Sequence, residues 1–275
     1  MSSLGGDNTT NVWKNVVASN TRLPIIAAVV CVIVAAIVYG WWWLRRRNLT
    51  TQEQKEAVVI AGGGNYRTVR RRLLVLDMNG LLCHRKHVSE LHGGIPADIV
   101  VQAQRRGNQF VWTRPYVDEF LRYCLDRFDV AIWSSATQQR LMEFMPAVVA
   151  EDVYQRLAFV WSQDQCDQDA QDPTLWKKDL SRVYALGIVA QKEDVLLLDD
   201  VVEKVRDNEP YSVMLINPWC PYGEGKGVHD DELRVGVGWL WHEIQQLAYY
   251  GGTVREFIRK RVERHSSSDQ SEEED

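Results

Sequence analysis

The sequence predicts an α/β fold, a Rossmann-like parallel sheet, and three observations predict it. From residue 73 onward, short apolar runs of strand length alternate with stretches long enough for helices. Three of those runs (Leu73–Leu76, Val130–Trp133 and Val195–Leu198) are continuously apolar, as strands buried on both faces are. Each run then delivers side chains that carry chemistry: Asp77, Ser134 and the pair Asp199-Asp200. Open α/β sheets bind ligands just beyond the carboxyl ends of their strands, so the candidate site lies along that edge.

In chain order, the first strand spans 73–78 and ends at Asp77, with Asn79 and Gly80 in the turn that follows. The interval 83–108 is polar and carries Gly93-Gly94. A strand is expected at 109–112 and a helix at 116–127 after Pro115. A strand at 129–133 ends in the hydroxyls of Ser134 and Ser135, and a helix follows at 137–148. A strand at 157–161 precedes the acidic stretch 162–174, expected as a surface loop. That stretch lacks the spacing and glycine of a calcium loop, so calcium is not expected there. A helix at 178–184 and a strand at 194–198 complete the alternation, which implies right-handed crossovers. A long helical segment from about 231 to 265 breaks near Gly251-Gly252. Its Trp239, Trp241, Ile244, Leu247 and Tyr250 read as one packing face.

The chain divides into a polar N-terminus (1–22), an apolar segment (23–44), a linker (45–71), a catalytic-type domain (72–265) and an acidic tail (266–275). Leu23 to Leu44 holds no charged residue and has the roughly 20-residue length of a membrane-spanning helix. Trp41-Trp42-Trp43 and Arg45-Arg46-Arg47 close it, as an interfacial aromatic belt and a cytosolic positive flank do. A single-pass anchor with the larger domain in the cytosol is expected. Arg67, Arg70, Arg71 and Arg72 read as a solvated strand start.

The net charge of −5 equals the five acids of the tail, so the rest of the chain sums to zero. A neutral body offers no basic face for nucleic acid, and none is expected as a partner. The five cysteines include no Cys-x-x-Cys pair, which argues against a zinc site or a disulfide framework.

The segment Asp77-Met-Asn79-Gly80 resembles the first motif, Asp-x-Asp, of the haloacid dehalogenase superfamily. With Ser134, the run Lys178-Asp-Leu-Ser181, the pair Asp199-Asp200 and the Arg114-Pro helix start, residues 70–260 are most similar to RNA polymerase II C-terminal-domain phosphatases and NLI-interacting-factor-like proteins. The resemblance implies a small β insertion near the site and an aspartyl-phosphate mechanism. Asp77 is then the nucleophile, Ser134 and Lys178 bind phosphate, and Mg2+ sits on Asp77, the carbonyl of Asn79, and Asp199 or Asp200, with Asp200 favoured as direct ligand.

One position departs from that pattern. Asn79 stands where the family has the aspartate that acts as general acid and base. An amide cannot exchange that proton, and such catalysis typically contributes about 10²–10⁴-fold. Two functions follow as expectations. One is a slow, membrane-anchored serine/threonine phosphoprotein phosphatase of the endoplasmic reticulum or nuclear envelope. The other is an inactive phosphatase-like module that binds a partner protein, as in the inner-membrane subunit of the mitochondrial presequence translocase. His84, five residues after Asn79, is the side chain that could substitute as the acid.

Overall fold

The strand β1 (Leu73–Leu76) is the centre of a five-stranded sheet, and every one of its residues is fully buried. In this computed structural model the described residues are 71–91, 95–189, 191–222 and 227–272, with side-chain surroundings given to residue 264. The expected membrane segment 23–44, its flanks and the linker up to Arg70 lie outside the described residues. No helix among the described residues is long and apolar enough to cross a membrane.

The insertion follows β1 at once. Strand β2 (Cys83–His87), β3 (Gln104–Arg106) and β4 (Gln109–Thr113) form a separate antiparallel sheet in the order β2-β4-β3. The expected strand at 109–112 therefore exists but leaves the parallel sheet. Its even residues Phe110 and Trp112 pack in a small cluster with Ile99 and Trp219 rather than in the main core.

The main sheet continues with β5 (Asp129–Trp133), β6 (Val160–Trp161), β9 (Val195–Asp199) and β10 (Val213–Leu215), ordered β10-β9-β1-β5-β6. All neighbours run parallel, as a sheet built from crossovers requires. The short pair β7 (Asp167–Gln168) and β8 (Trp176–Lys177) forms a hairpin that begins inside the stretch 162–174 expected to be a loop and closes just after it. Asp169 makes that turn. Its Oδ1 accepts the amides of Gln171 and Asp172, which hold its carboxyl near about 2.

Strand periodicity divides the core in two. Leu74, Leu76, Val130, Ile132, Leu196 and Leu198 face one layer of helices. Leu73, Val75, Ala131, Trp133, Val195 and Leu197 face the opposite side, against Leu180, Val183 and Val205. Burying each such side chain contributes about 1.5–3 kcal/mol. Helix α1 (Val117–Leu125) buries Val117, Phe120, Leu121, Cys124 and Leu125, the 3–4 spacing of one helical face. Its first-turn acids Asp118 and Glu119 complement the helix dipole. Helix α2 (Gln138–Val148) buries Leu141, Phe144, Met145 and Val148.

The predicted helix at 178–184 shrinks to one turn, Ser181–Tyr184, because Lys178 donates its amide to the Lys204 carbonyl rather than joining the helix. The segment expected as a helix from 231 begins later, as α3 (Trp239–Tyr249), and α4 (Val254–Glu272) runs on into the stretch expected as an acidic tail. Trp239 lies outside the core. It is 41% exposed, and the Arg261 guanidinium covers its ring at 5.1 Å.

Arg72 is likewise not solvated. Its guanidinium is buried against the end of α3 and donates to the carbonyls of Leu247, Tyr250 and Gly252 at 2.5, 2.5 and 2.8 Å. A cation there satisfies carbonyls that a helix end leaves without partners.

Candidate active site

Three strands of the parallel sheet end side by side in polar residues. The register pairs Leu76 with Leu198 and with Ile132. Asp77 thus aligns with Asp199 on one side, and its amide continues the ladder to the Leu198 carbonyl at 2.9 Å. On the other side β5 runs on to Ser134, whose amide is held by the Trp161 carbonyl at 2.9 Å.

Asp77, Asp199 and Asp200 form one group, with a ligand atom from each within 4.8 Å of the others. Lys178 joins them. Its Nζ donates to Asp77 Oδ1 at 2.7 Å and to Asp199 Oδ2 at 2.6 Å, and the three side chains are almost wholly buried. The Lys178 backbone is pinned on both sides. Its amide donates to Lys204, and its carbonyl accepts Asn208 Nδ2 at 2.7 Å. Lys204 adds a second cation, 3.9 Å from Asp77 Oδ2 and 4.0 Å from Asp199 Oδ1.

The electrostatics separate the three carboxylates. Burial pushes the Asp77 carboxyl up, but the Lys178 and Lys204 charges more than offset this and hold it below its usual value. Asp199 spends Oδ2 on Lys178 and Oδ1 on the Val201 amide at 2.9 Å. Asp200 has no lysine hydrogen bond, and the Lys204 charge only partly helps it. Burial and the Asp77 charge push its carboxyl up to about 7.

Within this group, Asp77 Oδ2 and Asp200 Oδ1 are buried and have no hydrogen-bond partner among the described residues. Three carboxylates against two ammonium groups leave the group short of positive charge. Buried anionic oxygens without donors are costly, and a hard divalent cation with oxygen ligands satisfies both the charge and the lone pairs. The donor set therefore fits such an ion. Gly80 is what lets the arrangement close. At φ +90° it turns the chain, and a Cβ there would lie 2.0 Å from Asp200 Oδ2.

The remaining candidates sit around this group. Ser134 is buried, and its Oγ accepts the Ala136 amide at 3.2 Å. Asn79 is in the turn after β1, where its Oδ1 accepts the Arg85 amide at 3.1 Å. His84 is drawn into the insertion instead. Its Nε2 lies 2.7 Å from the Tyr222 hydroxyl, its ring packs on Trp112, and burial lowers it to about 4. It is not placed to replace an acid at Asn79.

The Arg114-Pro element proves to be a brace. Arg114 is buried and forks onto Asp230 at 2.9 and 3.0 Å and onto Glu232, while its amide holds the Leu82 carbonyl at 3.0 Å. It fixes the far side of the turn that carries Asn79.

Sequence reasoning missed Lys204 and Arg85. Lys204 follows the Asp199-Asp200 pair by one short helix (Val202–Val205), and a cation so close behind two acids was a usable signal.

The chain belongs to the NLI interacting factor-like phosphatases, whose family model matches residues 72–246. That places it in the haloacid dehalogenase superfamily, among domains of FCP1 homology. An uncharacterised FCP1 homology domain-containing protein of Schizosaccharomyces pombe is 23% identical over 197 residues, 66% of this chain and 76% of the relative. Two solved structures are also similar. One is the fission yeast RNA polymerase II CTD phosphatase Fcp1, as a variant bound to beryllium fluoride (16% identity, TM-score 0.39, covering 70% of this chain and 50% of that one). The other is Fcp1 described as an essential RNA polymerase II CTD phosphatase (14%, 0.41, 68% and 56%). This chain spans only about half the length of those two.

Proposed function

We propose that this chain is a slow, membrane-anchored phosphoserine/phosphothreonine protein phosphatase that works through an aspartyl-phosphate. One observation carries the reading: Asp77 follows the central strand with Oδ1 held by Lys178 at 2.7 Å and Oδ2 buried without a hydrogen bond among the described residues. Oδ2 faces the Lys204 ammonium at 3.9 Å but carries no hydrogen bond, so the carboxylate is oriented by one oxygen and left nucleophilic at the other.

In the first step Asp77 Oδ2 forms a bond to phosphorus as the bond to the serine or threonine oxygen breaks. That oxygen must then take a proton. Asn79 has none to give, so the proton comes from water and this step is slow. Water next attacks phosphorus, releasing inorganic phosphate and restoring the Asp77 carboxylate. Lys178 and Lys204 neutralise charge on the phosphoryl oxygens, and Ser134 Oγ donates to one of them. Asp77, Asp200 and the Asn79 carbonyl are the groups to hold Mg2+, which when bound supplies further charge neutralisation on the phosphoryl group.

Leu23–Leu44 is the proposed anchor, with the phosphatase domain cytosolic at the endoplasmic reticulum or nuclear envelope and a phosphoprotein as partner. Asn79 favours a second reading, a domain that binds a partner protein without turnover, for which the mitochondrial inner membrane is the alternative location.

The test is release of phosphate from phosphoserine peptides by the 275-residue chain with Mg2+. The proposal expects release that Asp77→Asn abolishes. Equal rates from both proteins, or none from either, would exclude the phosphatase reading.

A further inference from the structure

Beside Asn79 opens a polar cavity of about 450 Å3, lined by Asn79, Arg85, His87, Glu90, Gln109 and Arg140. Two of these are arginines, Arg85 and Arg140. Arg85 extends from β2, and its guanidinium lies 4.2 Å over the Phe144 ring. Its Nε is buried and has no hydrogen-bond partner. Among the described residues, neither Arg85 nor Arg140 forms an ion pair. The carboxylate in the lining, Glu90, is exposed and pairs with neither.

A buried, unpaired guanidinium nitrogen is costly in the same way as an unpaired carboxylate oxygen. The Arg85 guanidinium is oriented by an aromatic face yet left with a donor to spare. Arg140 deepens the anomaly. It stands in the first turn of α2, where the helix dipole is positive and acids are favoured, and that turn holds no acid. Burial lowers Arg85, the Asp77 charge acts against this, and Arg140 repels it further. An anion entering the cavity would balance this constellation.

The cavity adjoins the turn that links Asp77 to β2, because Asn79 lines it and also accepts the Arg85 amide. A phosphoryl group on Asp77 has Lys178 and Lys204 beside it, so the arginines of this cavity remain for a second anionic group. We infer that this cavity is a second anion subsite, which takes a carboxylate or phosphate carried by a residue neighbouring the phosphoserine or phosphothreonine of the substrate. The inference rests on the phosphoprotein reading above. It adds that the preferred sites are acidic or multiply phosphorylated.

Binding decides this without depending on turnover. Four fluorescent peptides share one phosphoserine, and the neighbouring residue is alanine, glutamate, a second phosphoserine or lysine. Their affinities for the 275-residue chain are measured by anisotropy at low salt and in 0.5 M salt. The glutamate and doubly phosphorylated peptides are expected to bind about tenfold tighter than the alanine peptide, and the lysine peptide weaker. Salt should shrink the difference. The two anionic arms tell a carboxylate source from a phosphate source.

Arg140→Gln should reduce the preference to about threefold or less. That side chain is exposed, and removing a cation from a helix start does not threaten folding. Arg85→Gln should remove the preference, and Glu90→Gln should increase it. Equal binding of all four peptides, or a preference unmoved by Arg140→Gln and Glu90→Gln, overturns the subsite while leaving the phosphatase reading intact. No binding by any peptide overturns both.

Discussion

Asp199 Oδ2 accepts a 2.6 Å hydrogen bond from Lys178 Nζ, and neither side chain reaches solvent. Asp199 thereby acts as an orienting group. It fixes the ammonium that also touches Asp77, and it leaves Asp200 as the carboxylate with an oxygen to spare. We predict that Lys178→Met destabilises the fold by about 3–5 kcal/mol, because it leaves buried carboxylates without their cation. Urea denaturation measures this. A loss below about 1 kcal/mol would show that the lysine does not carry that charge balance.

The pH dependence of stability follows from Asp200. Its carboxyl, near about 7 in the folded chain against 3.8 ordinarily, holds its proton more tightly folded than unfolded. The folded state then binds more protons between those values, so stability falls as pH rises from about 4 to 7 and levels off above. In chelator, Asp200→Asn should remove that part of the slope and raise the melting temperature at pH 8. The wild-type minus variant difference isolates it from histidines that titrate in the same range. If the two melting curves shift in parallel with pH, Asp200 is not the group responsible.

A divalent cation should reverse that penalty. Calorimetric titration of the chain is expected to show Mg2+ binding at pH 7.5, lost in Asp200→Ala. Added Mg2+ should raise the wild-type melting temperature and leave the variant's unchanged. Equal heats from both proteins would remove Asp200 from the ligand set.

The topology proposal is checked separately. Protease added to intact microsomes should remove the phosphatase domain. Protection of that domain together with glycosylation at Asn48 would mean the opposite orientation.

What was legible in the sequence was what repeats locally. Continuous apolar runs gave β1, β5 and β9, and the residues after them gave Asp77, Ser134 and Asp199-Asp200. Strand β10 escaped because three residues between turn segments carry no period. The β7-β8 hairpin escaped because its strands are only two residues long, too short to show a period, and depend on Asp169 capping the turn. Lys178 was found only through its motif. Its burial comes from a backbone contact with Lys204, across a separation that no local pattern encodes. Arg72 misled because a basic run looks solvated until the carbonyls at the end of α3 arrive beside it.

Asn79 gives the sharpest test of mechanism. Its Oδ1 accepts the Arg85 amide at 3.1 Å, a bond that an aspartate oxygen can make equally well. Asn79→Asp should therefore be accommodated without rearranging the turn. With the acid restored, turnover of phosphoserine peptides should rise by roughly 10²–10⁴-fold. Aryl phosphates, whose leaving oxygens are already stable as anions, should gain less. Both gains should vanish in the Asp77→Asn background, because the added acid serves only a leaving group that Asp77 has displaced. If Asn79→Asp binds Mg2+ and still hydrolyses neither substrate, a second defect lies beyond the missing proton. The binding module then becomes the better account of a site that keeps its charge balance without its acid.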